Sequence, residues 1–194
     1  MKMPSRTAIG LILTFVIGSV ANAALAQDSA AAKPAKPAVG TPVSPSEAYG
    51  KLLSLMEKEF VSAAEAMPDE KFDFAPSGGE FKGVRSFGGQ VKHVAQDNYY
   101  FYRGNLSDAE MKAKQDAMEK LTSKADIVQA LKDSFVQAHS VVDGITAENA
   151  FVTTEHGTRG GMSAFGLAHI MDHYGQMVVY LRMNGIVPPA SRGN

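Results

Sequence analysis

The stretch "LAHIMDHYGQMVVYLRMNGIVPP", residues 167–189, is the most informative part of the sequence for predicting the fold. Its apolar residues recur at the three- and four-residue steps of an amphipathic helix: Leu167, Ile170, Met171, Tyr174, Met177, Val178 and Leu181. The Asn-Gly pair at 184–185 is typical of a helix end, and the Pro-Pro pair at 188–189 prevents the helix from restarting. The pattern predicts a long helix over about residues 162–183.

The first helix of the predicted domain begins at a strong N-terminal signal. Ser44 is a good N-cap, Pro45 suits the first helical position, and Glu47 is spaced to close a capping box. Apolar residues continue at helical spacing as far as Pro68, which cannot extend a helix. These features predict a first helix over residues 45–66.

Two more helices are expected between these ends. One covers about residues 86–103, and the other follows a second capping box, formed by Ser123 and Asp126, and continues to about Val142. The connection between them, "GNLSDAEMKAKQDAMEKLTSK" at residues 104–124, is polar and has room for a short surface helix.

The segments "DFAPSGGEFKGVR", residues 73–85, and "NAFVTTEHGTRGG", residues 149–161, are interpreted as loops because they are rich in glycine. No convincing alternation of polar and apolar residues indicates a strand. Four long amphipathic helices without strands predict an all-α four-helix bundle, which we expect to occupy residues 44–190.

The N-terminal residues 1–26 have the organisation of a secretory signal peptide. A basic start, "MKMPSR", precedes the apolar run "TAIGLILTFVIGSV", and "ANAALA" offers small residues at the cleavage site. We expect cleavage after Ala26, with Ala23 as the second choice. The alternative is an uncleaved membrane anchor, although the apolar run is short for a spanning helix, which needs about 20 residues. Residues 27–43, "QDSAAAKPAKPAVGTPV", predict a disordered linker.

Composition narrows the class of protein further. The formal net charge is −1, and loss of Lys2 and Arg6 with the signal peptide makes the mature chain more negative, so nothing indicates nucleic-acid binding. There is no cysteine, which excludes disulfides, a lipoprotein anchor and a thiol nucleophile. An exported chain without disulfides fits a bacterial periplasm.

Two histidines, His169 and His173, lie four residues apart on the last predicted helix. Side chains at this spacing share one helix face with Cβ atoms about 5–6 Å apart, so both imidazoles can reach one metal ion. The zinc-protease motif is excluded because it needs a Glu directly after the first His, where this chain has Ile170. From the spacing alone, the two histidines are either metal ligands or polar residues hydrogen-bonded on the flank of a buried helix.

Two segments carry a family resemblance. "HIMDHYGQMVVYLRMNGIVPP", residues 169–189, and "VRSFGGQVKHVAQDNYYFY", residues 84–102, resemble the last and the second helix of the DinB-like superfamily of four-helix-bundle metalloproteins. The resemblance covers nearly all of residues 44–190 and implies a bundle with a long crossover connection.

The resemblance also implies a metal site built from one histidine of the second helix and two of the last. In this sequence those residues are His93, His169 and His173. The family often has a basic residue after the second histidine of the last helix, whereas this chain has Tyr174, so a role tied to that charge is not carried over.

Helical periodicity places His93 nearly opposite the aliphatic side of its own helix, beside Asp97 and Tyr100. By periodicity alone this is a solvated face. Two explanations reconcile it with a ligand role: the second helix is buried on both sides, or His93 lies on a groove wall open to solvent.

Other polar residues have weaker claims on the site. Asp97, one turn after His93, could orient that histidine or bind metal through water, or it could simply pair on a helix face. Gln176 could reach a metal-bound water or make a helix–helix hydrogen bond. His139 and His156 are expected to have core or surface roles.

Three neutral imidazoles leave an open coordination position, and zinc, nickel or iron would fit such a site. A bound metal can acidify water to a pKa of about 7, and some members of the resembled superfamily are thiol-dependent transferases or isomerases. We therefore expect a metal-dependent hydrolase or a thiol-dependent transferase acting on a small molecule. The alternative is a non-catalytic periplasmic bundle that binds metal or a ligand.

The resemblance further leads us to expect a homodimer. The Ala-rich end of the first helix is one candidate for its surface.

Overall fold

The computed structural model describes residues 37–193 together with Met1, and this part of the chain forms a helical bundle. The helices are α1 (Pro45–Ala66), α2 (Phe87–Phe101), α3 (Asp108–Glu119), α4 (Lys124–Asp143) and α5 (Arg159–Met183). Strands β1 (Thr153–Thr154) and β2 (Gly157–Thr158) form one antiparallel hairpin, and short 3-10 turns cover Asp69–Lys71 and Pro189–Ser191.

The chain divides into two compact units after residue 41, and the helical bundle is the second of them. The signal peptide expected over residues 1–26 and the linker residues 27–36 lie outside the described residues, apart from Met1. Residues 37–43 contain no helix or strand. Among the described residues, no helix is both long and apolar enough to cross a membrane.

The four long helices confirm the predicted bundle and its long crossover. Both α1 and α2 pack against α4 and α5, so α1 and α2 lie on a diagonal. Helix α2 runs antiparallel to α5, since Gln90 bonds to Gln176 while Tyr102 bonds to Ser163. It runs parallel to α4, so the chain must travel back along the bundle between them, and it does so through α3, which packs on α2.

Capping explains where several helices begin. Ser44 and Ser123 act as N-caps as predicted, accepting hydrogen bonds from backbone N–H groups three residues on. The complete capping box is instead at Ser107 and Glu110, in the polar connection, where it starts the short surface helix α3.

The expectation that the chain has no strands is wrong in one small place. The segment interpreted as a loop before α5 contains the hairpin of β1 and β2, with Thr153 opposite Thr158. Gly157 has a φ of 100°, in the region that favours glycine, and it allows the chain to reverse there. Thr158 then caps α5, which begins at Arg159, three residues earlier than predicted.

Close approach of α2 and α5 fixes the geometry of their interface. A Cβ atom at Gly166 would lie 2.8 Å from the buried Tyr102 ring, so only glycine permits this contact. The Tyr102 hydroxyl donates a hydrogen bond to the Ser163 carbonyl at 3.2 Å. These contacts anchor the two helices at one end of the groove that holds the histidines.

The Ala-rich end of α1 is not the surface that we expected. Ala63 and Ala64 are fully buried in the core, because their small side chains let α1 pack closely against its neighbours. The large apolar side chains that α1 exposes are Leu52 and Leu55, nearer its N-terminus.

Candidate metal centre

Three imidazole rings converge between α2 and α5. His93 projects from α2, and His169 and His173 project from successive turns of α5. The Nε2 atom of His169 lies 3.3 Å from that of His93 and 3.1 Å from that of His173. All three residues offer nitrogen atoms within 4.8 Å of one another.

These separations fit a common metal ion. With bonds of 2.0–2.1 Å, two nitrogen ligands at tetrahedral angles lie about 3.3 Å apart. The nitrogens also have too few protons to satisfy each other, because a neutral imidazole has one N–H and each hydrogen can serve only one close neighbour. A cation at the centre would satisfy all the lone pairs that meet here.

A chain of amide hydrogen bonds orients His173. Its Nδ1–H donates to Gln90 Oε1 at 2.5 Å, and Gln90 Nε2 donates to Gln176 Oε1 at 2.8 Å. Gln176 Nε2 then donates to Asp172 Oδ2 at 3.1 Å. Because Nδ1 carries the proton, Nε2 of His173 presents a lone pair to the centre, as metal-binding histidines require.

Gln90 is not among the site residues predicted from the sequence. Gln176 is among them, but Gln90 lies between it and the His173 ring. Gln176 makes the helix–helix hydrogen bond that was the alternative for it. Gln90 is fully buried on a helix face that also carries Phe87, Val91 and Val94. The position of an amide within such an apolar stripe could have indicated this role, because a buried polar group requires a hydrogen-bond partner.

Asp97 lies beside the ring nitrogens. Its Oδ2 is 3.2 Å from Nε2 of His169 and 3.4 Å from Nε2 of His93. Burial raises the pKa of this carboxyl group, but the hydrogen bond with His169 and the charges of the histidines outweigh it, so the pKa of Asp97 is lowered overall. The centre therefore includes an anionic oxygen next to two of its nitrogens.

Burial also keeps two of the imidazoles neutral. It lowers the pKa of His173 to about 4, with the neighbouring His169 and His93 adding to the effect. The pKa of His93 is lowered as well, mainly by burial and against the opposing charge of Asp97. Histidine binds metal in its neutral form, so these shifts favour metal binding near pH 7.

Both explanations for the position of His93 hold in part, because its helix is packed on several sides and the residue also borders an open groove. Helix α2 packs against α3, α4 and α5, so its aliphatic side and its histidine side are both covered. The His93 side chain nevertheless keeps 22% of its surface exposed. It borders a groove of about 470 Å³ whose wall also carries Arg85 and Lys92, and this groove gives the centre a polar approach.

The other two histidines described in the structure lie elsewhere. His139 Nε2 is 2.8 Å from Glu57 Oε2 at the interface of α1 and α4. His156 lies in the turn of the hairpin, 3.9 Å from the exposed carboxylate of Glu155. Neither belongs to the cluster.

The comparison with protein families agrees with this architecture. A family model for the DinB superfamily matches residues 52–177, well over half of the chain, and the match includes all three clustered histidines. The chain therefore belongs to the DinB superfamily. Among curated proteins, none matches the sequence significantly.

Proposed function

We propose that this protein binds one divalent metal ion, zinc, nickel or iron, through His93, His169 and His173 and acts as a metal-dependent enzyme on a small molecule. The observation that carries the proposal is the meeting of three Nε2 atoms, with separations of 3.1 and 3.3 Å, at one point between α2 and α5. Three protein ligands are typical of catalytic sites, which keep a position open for water or substrate.

Asp97 supports a catalytic role over simple binding. When bound, the metal would supply Lewis-acid polarisation of the substrate. Oδ2 of Asp97 is close to two of the ligand nitrogens, and its lowered pKa keeps it anionic, so it can accept a hydrogen bond and, as a weak base, a proton. The proton could come from a water molecule in a hydrolase or from an external thiol in a transferase, since the chain has no cysteine of its own.

Elemental analysis of protein purified without a histidine tag tests the proposal. We expect about one metal ion per chain in the wild type and almost none in His173→Ala. His139→Ala is the matched control, because it removes a histidine that pairs with a carboxylate at another helix interface. A wild-type protein that takes up no divalent metal, even when the metal is supplied, would refute the proposal.

The non-catalytic alternative makes a different prediction for Asp97. If the protein only stores metal or a ligand, Asp97→Asn should leave every function of the loaded protein intact. If it is an enzyme, Asp97→Asn should retain metal and lose turnover in a screen of ester, amide and thiol-transfer substrates.

We also propose that the protein is exported to the periplasm and cleaved after Ala26. The basic, apolar and small-residue segments of residues 1–26 support this. Mass spectrometry of periplasmic protein should find a mature N-terminus at Gln27, and an intact Met1 in the membrane fraction would contradict it.

A homodimer is our proposal for the assembly. Leu52 and Leu55 are about half exposed on α1 and provide an apolar surface for a second copy. Light scattering should give twice the mass of the mature chain, and Leu55→Lys should shift the mass to that of one chain. A monomeric wild type at micromolar concentration would contradict this proposal.

A further inference from the structure

Helices α2 and α5 present matched residues to each other at three successive turns. The ring centroids of His93 and His173 lie 4.7 Å apart, and those of Phe101 and Phe165 lie 5.0 Å apart. Between these levels, Asp97 Oδ2 lies 3.2 Å from His169 Nε2. Along the groove between the helices, the side chains that line it therefore change from imidazoles to a carboxylate to aromatic rings within about two helical turns.

The aromatic end of this groove is open. Phe165 is 62% exposed and Tyr100 is 44% exposed, and both pack edge-on against the buried Phe101. We call these three residues the aromatic ledge. Phe101 also contacts His169, with ring centroids 5.2 Å apart, so the ledge is continuous with the candidate metal centre.

His169 depends on this contact. Among the described residues, its buried Nδ1 has no hydrogen-bond partner, in contrast to Nδ1 of His173. The ring is therefore held by packing against Phe101 and by its neighbours at Nε2. Phe101 thus packs against a candidate ligand histidine, while Phe165 and Tyr100 expose apolar surface beside it.

A cavity next to the ledge sets the size of the group that would fit. Of the ledge residues, Phe101 lines a cavity of about 220 Å³, together with Val141, Met162, the hairpin that precedes α5, and the charged residues Arg103 and Arg159. Sites for whole drug-sized ligands measure about 300–1,000 Å³, so this volume suits one part of a small molecule, such as a single ring. The groove on the other side of His93 is polar and carries Arg85 and Lys92. The ledge is therefore more apolar than the groove that carries Arg85 and Lys92.

We propose that the aromatic ledge binds the apolar part of the substrate, and that this part is an aryl group or a similarly flat ring. The ring would lie about one helical turn, roughly 5 Å, from the group that reaches the histidines and Asp97. This inference rests on the proposed metal-dependent function and specifies the class of substrate. Stacking on exposed aromatic rings would supply the preference for flat apolar groups.

Two small chelators test the ledge without knowledge of the substrate. Benzohydroxamate and acetohydroxamate bind metal through the same group and differ in a phenyl ring. Titrated into the cobalt(II)-loaded protein and followed by the cobalt absorption spectrum, benzohydroxamate should bind about tenfold more tightly, as expected for burial of one ring face.

Phe165→Ser should remove this preference while leaving the cobalt content and the affinity for acetohydroxamate unchanged. Phe151→Ser is the matched control, because Phe151 is 71% exposed and lies outside the ledge, and it should keep the preference. Tyr100→Ser provides a second variant at an exposed position on α2 and should reduce the preference. Circular dichroism checks that the variants are folded.

Equal binding of the two chelators to the cobalt-loaded wild type would overturn the inference and leave the metal site standing. Survival of the preference in both ledge variants would overturn it as well. So would a Phe165→Ser variant that dissociates a dimer without changing chelator preference, since the ledge would then be a contact between two copies. Failure of the wild type to bind cobalt would instead refute the proposed function itself.

Discussion

Two helix interfaces of this bundle contain partly buried histidines, and they differ in what surrounds each ring. Between α1 and α4, His139 meets one carboxylate, that of Glu57, at 2.8 Å. Between α2 and α5, three rings meet through their Nε2 atoms at 3.1 and 3.3 Å, with Asp97 beside them.

The difference indicates which histidines could hold a metal ion. A single imidazole next to a carboxylate is satisfied by one hydrogen bond, and nothing else is required of the surroundings. Three imidazoles that face one another through the same nitrogen compete for too few protons, and a cation would resolve this conflict. Convergence of lone pairs, more than burial, therefore separates a candidate ligand set from an ordinary ion pair.

Removal of a candidate ligand histidine should have the largest effect on metal binding. We expect His93→Ala and His169→Ala to lose nearly all metal at micromolar concentrations, because two imidazoles hold a divalent ion far less firmly than three. His139→Ala and His156→Ala should keep full occupancy. Competition titration with a chelator measures the affinities. Full retention of metal by His93→Ala would reduce the cluster to a pair on one helix and contradict the three-histidine site.

Acidification should have the next largest effect. Three free imidazoles with a pKa near 6.5 would together reduce metal affinity by more than about ten thousandfold between pH 7 and pH 5. The pKa of His173 is lowered to about 4, so protons barely compete for this ligand in that range. The lowered pKa of His93 acts in the same direction.

We therefore expect the loss between pH 7 and pH 5 to be clearly smaller than this figure of about ten thousandfold, because protonation of His173 adds little to it. Isothermal titration of zinc at several pH values measures it. A loss as steep as that of three free imidazoles would mean that burial does not protect the site from protons.

Gln90 tests the support behind one ligand. Gln90→Leu keeps the volume of the side chain but removes the acceptor for Nδ1–H of His173. Loss of such an outer partner typically lowers metal affinity about 10–100-fold, and we expect a change in that range.

Asn98→Leu is the matched control for Gln90→Leu. Asn98 is equally buried on the same helix, but it donates to Ser134 on α4 and contacts no histidine of the cluster. This variant should lower the stability of the fold while leaving the metal affinity of the folded protein unchanged. Equal losses of affinity in the two variants would show that Gln90 acts through general packing.

Much of the fold could be predicted from the sequence because its helices have clear ends. Ser44 and Pro45 start α1 where predicted, and the Asn-Gly pair at 184–185 ends α5. The hairpin could not be predicted, because two residues per strand are too few to show alternation. Thr158 could not be predicted as a cap for a different reason, because it lies in a segment whose glycines indicate a loop.

The site was only partly visible in the sequence. The spacing of His169 and His173 is a property of one helix and can be counted. The role of His93 depends on α5 covering a face of α2 that looks solvated on a helical wheel, so only the family resemblance pointed to it. The function of Gln90 likewise depends on which residue of α5 lies opposite, and the sequence of α2 does not contain that information.

The smallest effect of a substitution is expected at the interface between α1 and α4. Glu57 and His139 are each about one-third exposed, and pairs of this kind contribute about 0.2–1 kcal/mol. Glu57→Gln keeps an oxygen that can accept a hydrogen bond and removes only the charge, so the free energy of unfolding in urea should fall by no more than about 1 kcal/mol. Metal affinity should not change, because the pair lies between α1 and α4 and contacts none of the three clustered histidines. A loss of metal in Glu57→Gln would show that the two interfaces are coupled through the core, and His139 could then no longer serve as an independent reference for the metal centre.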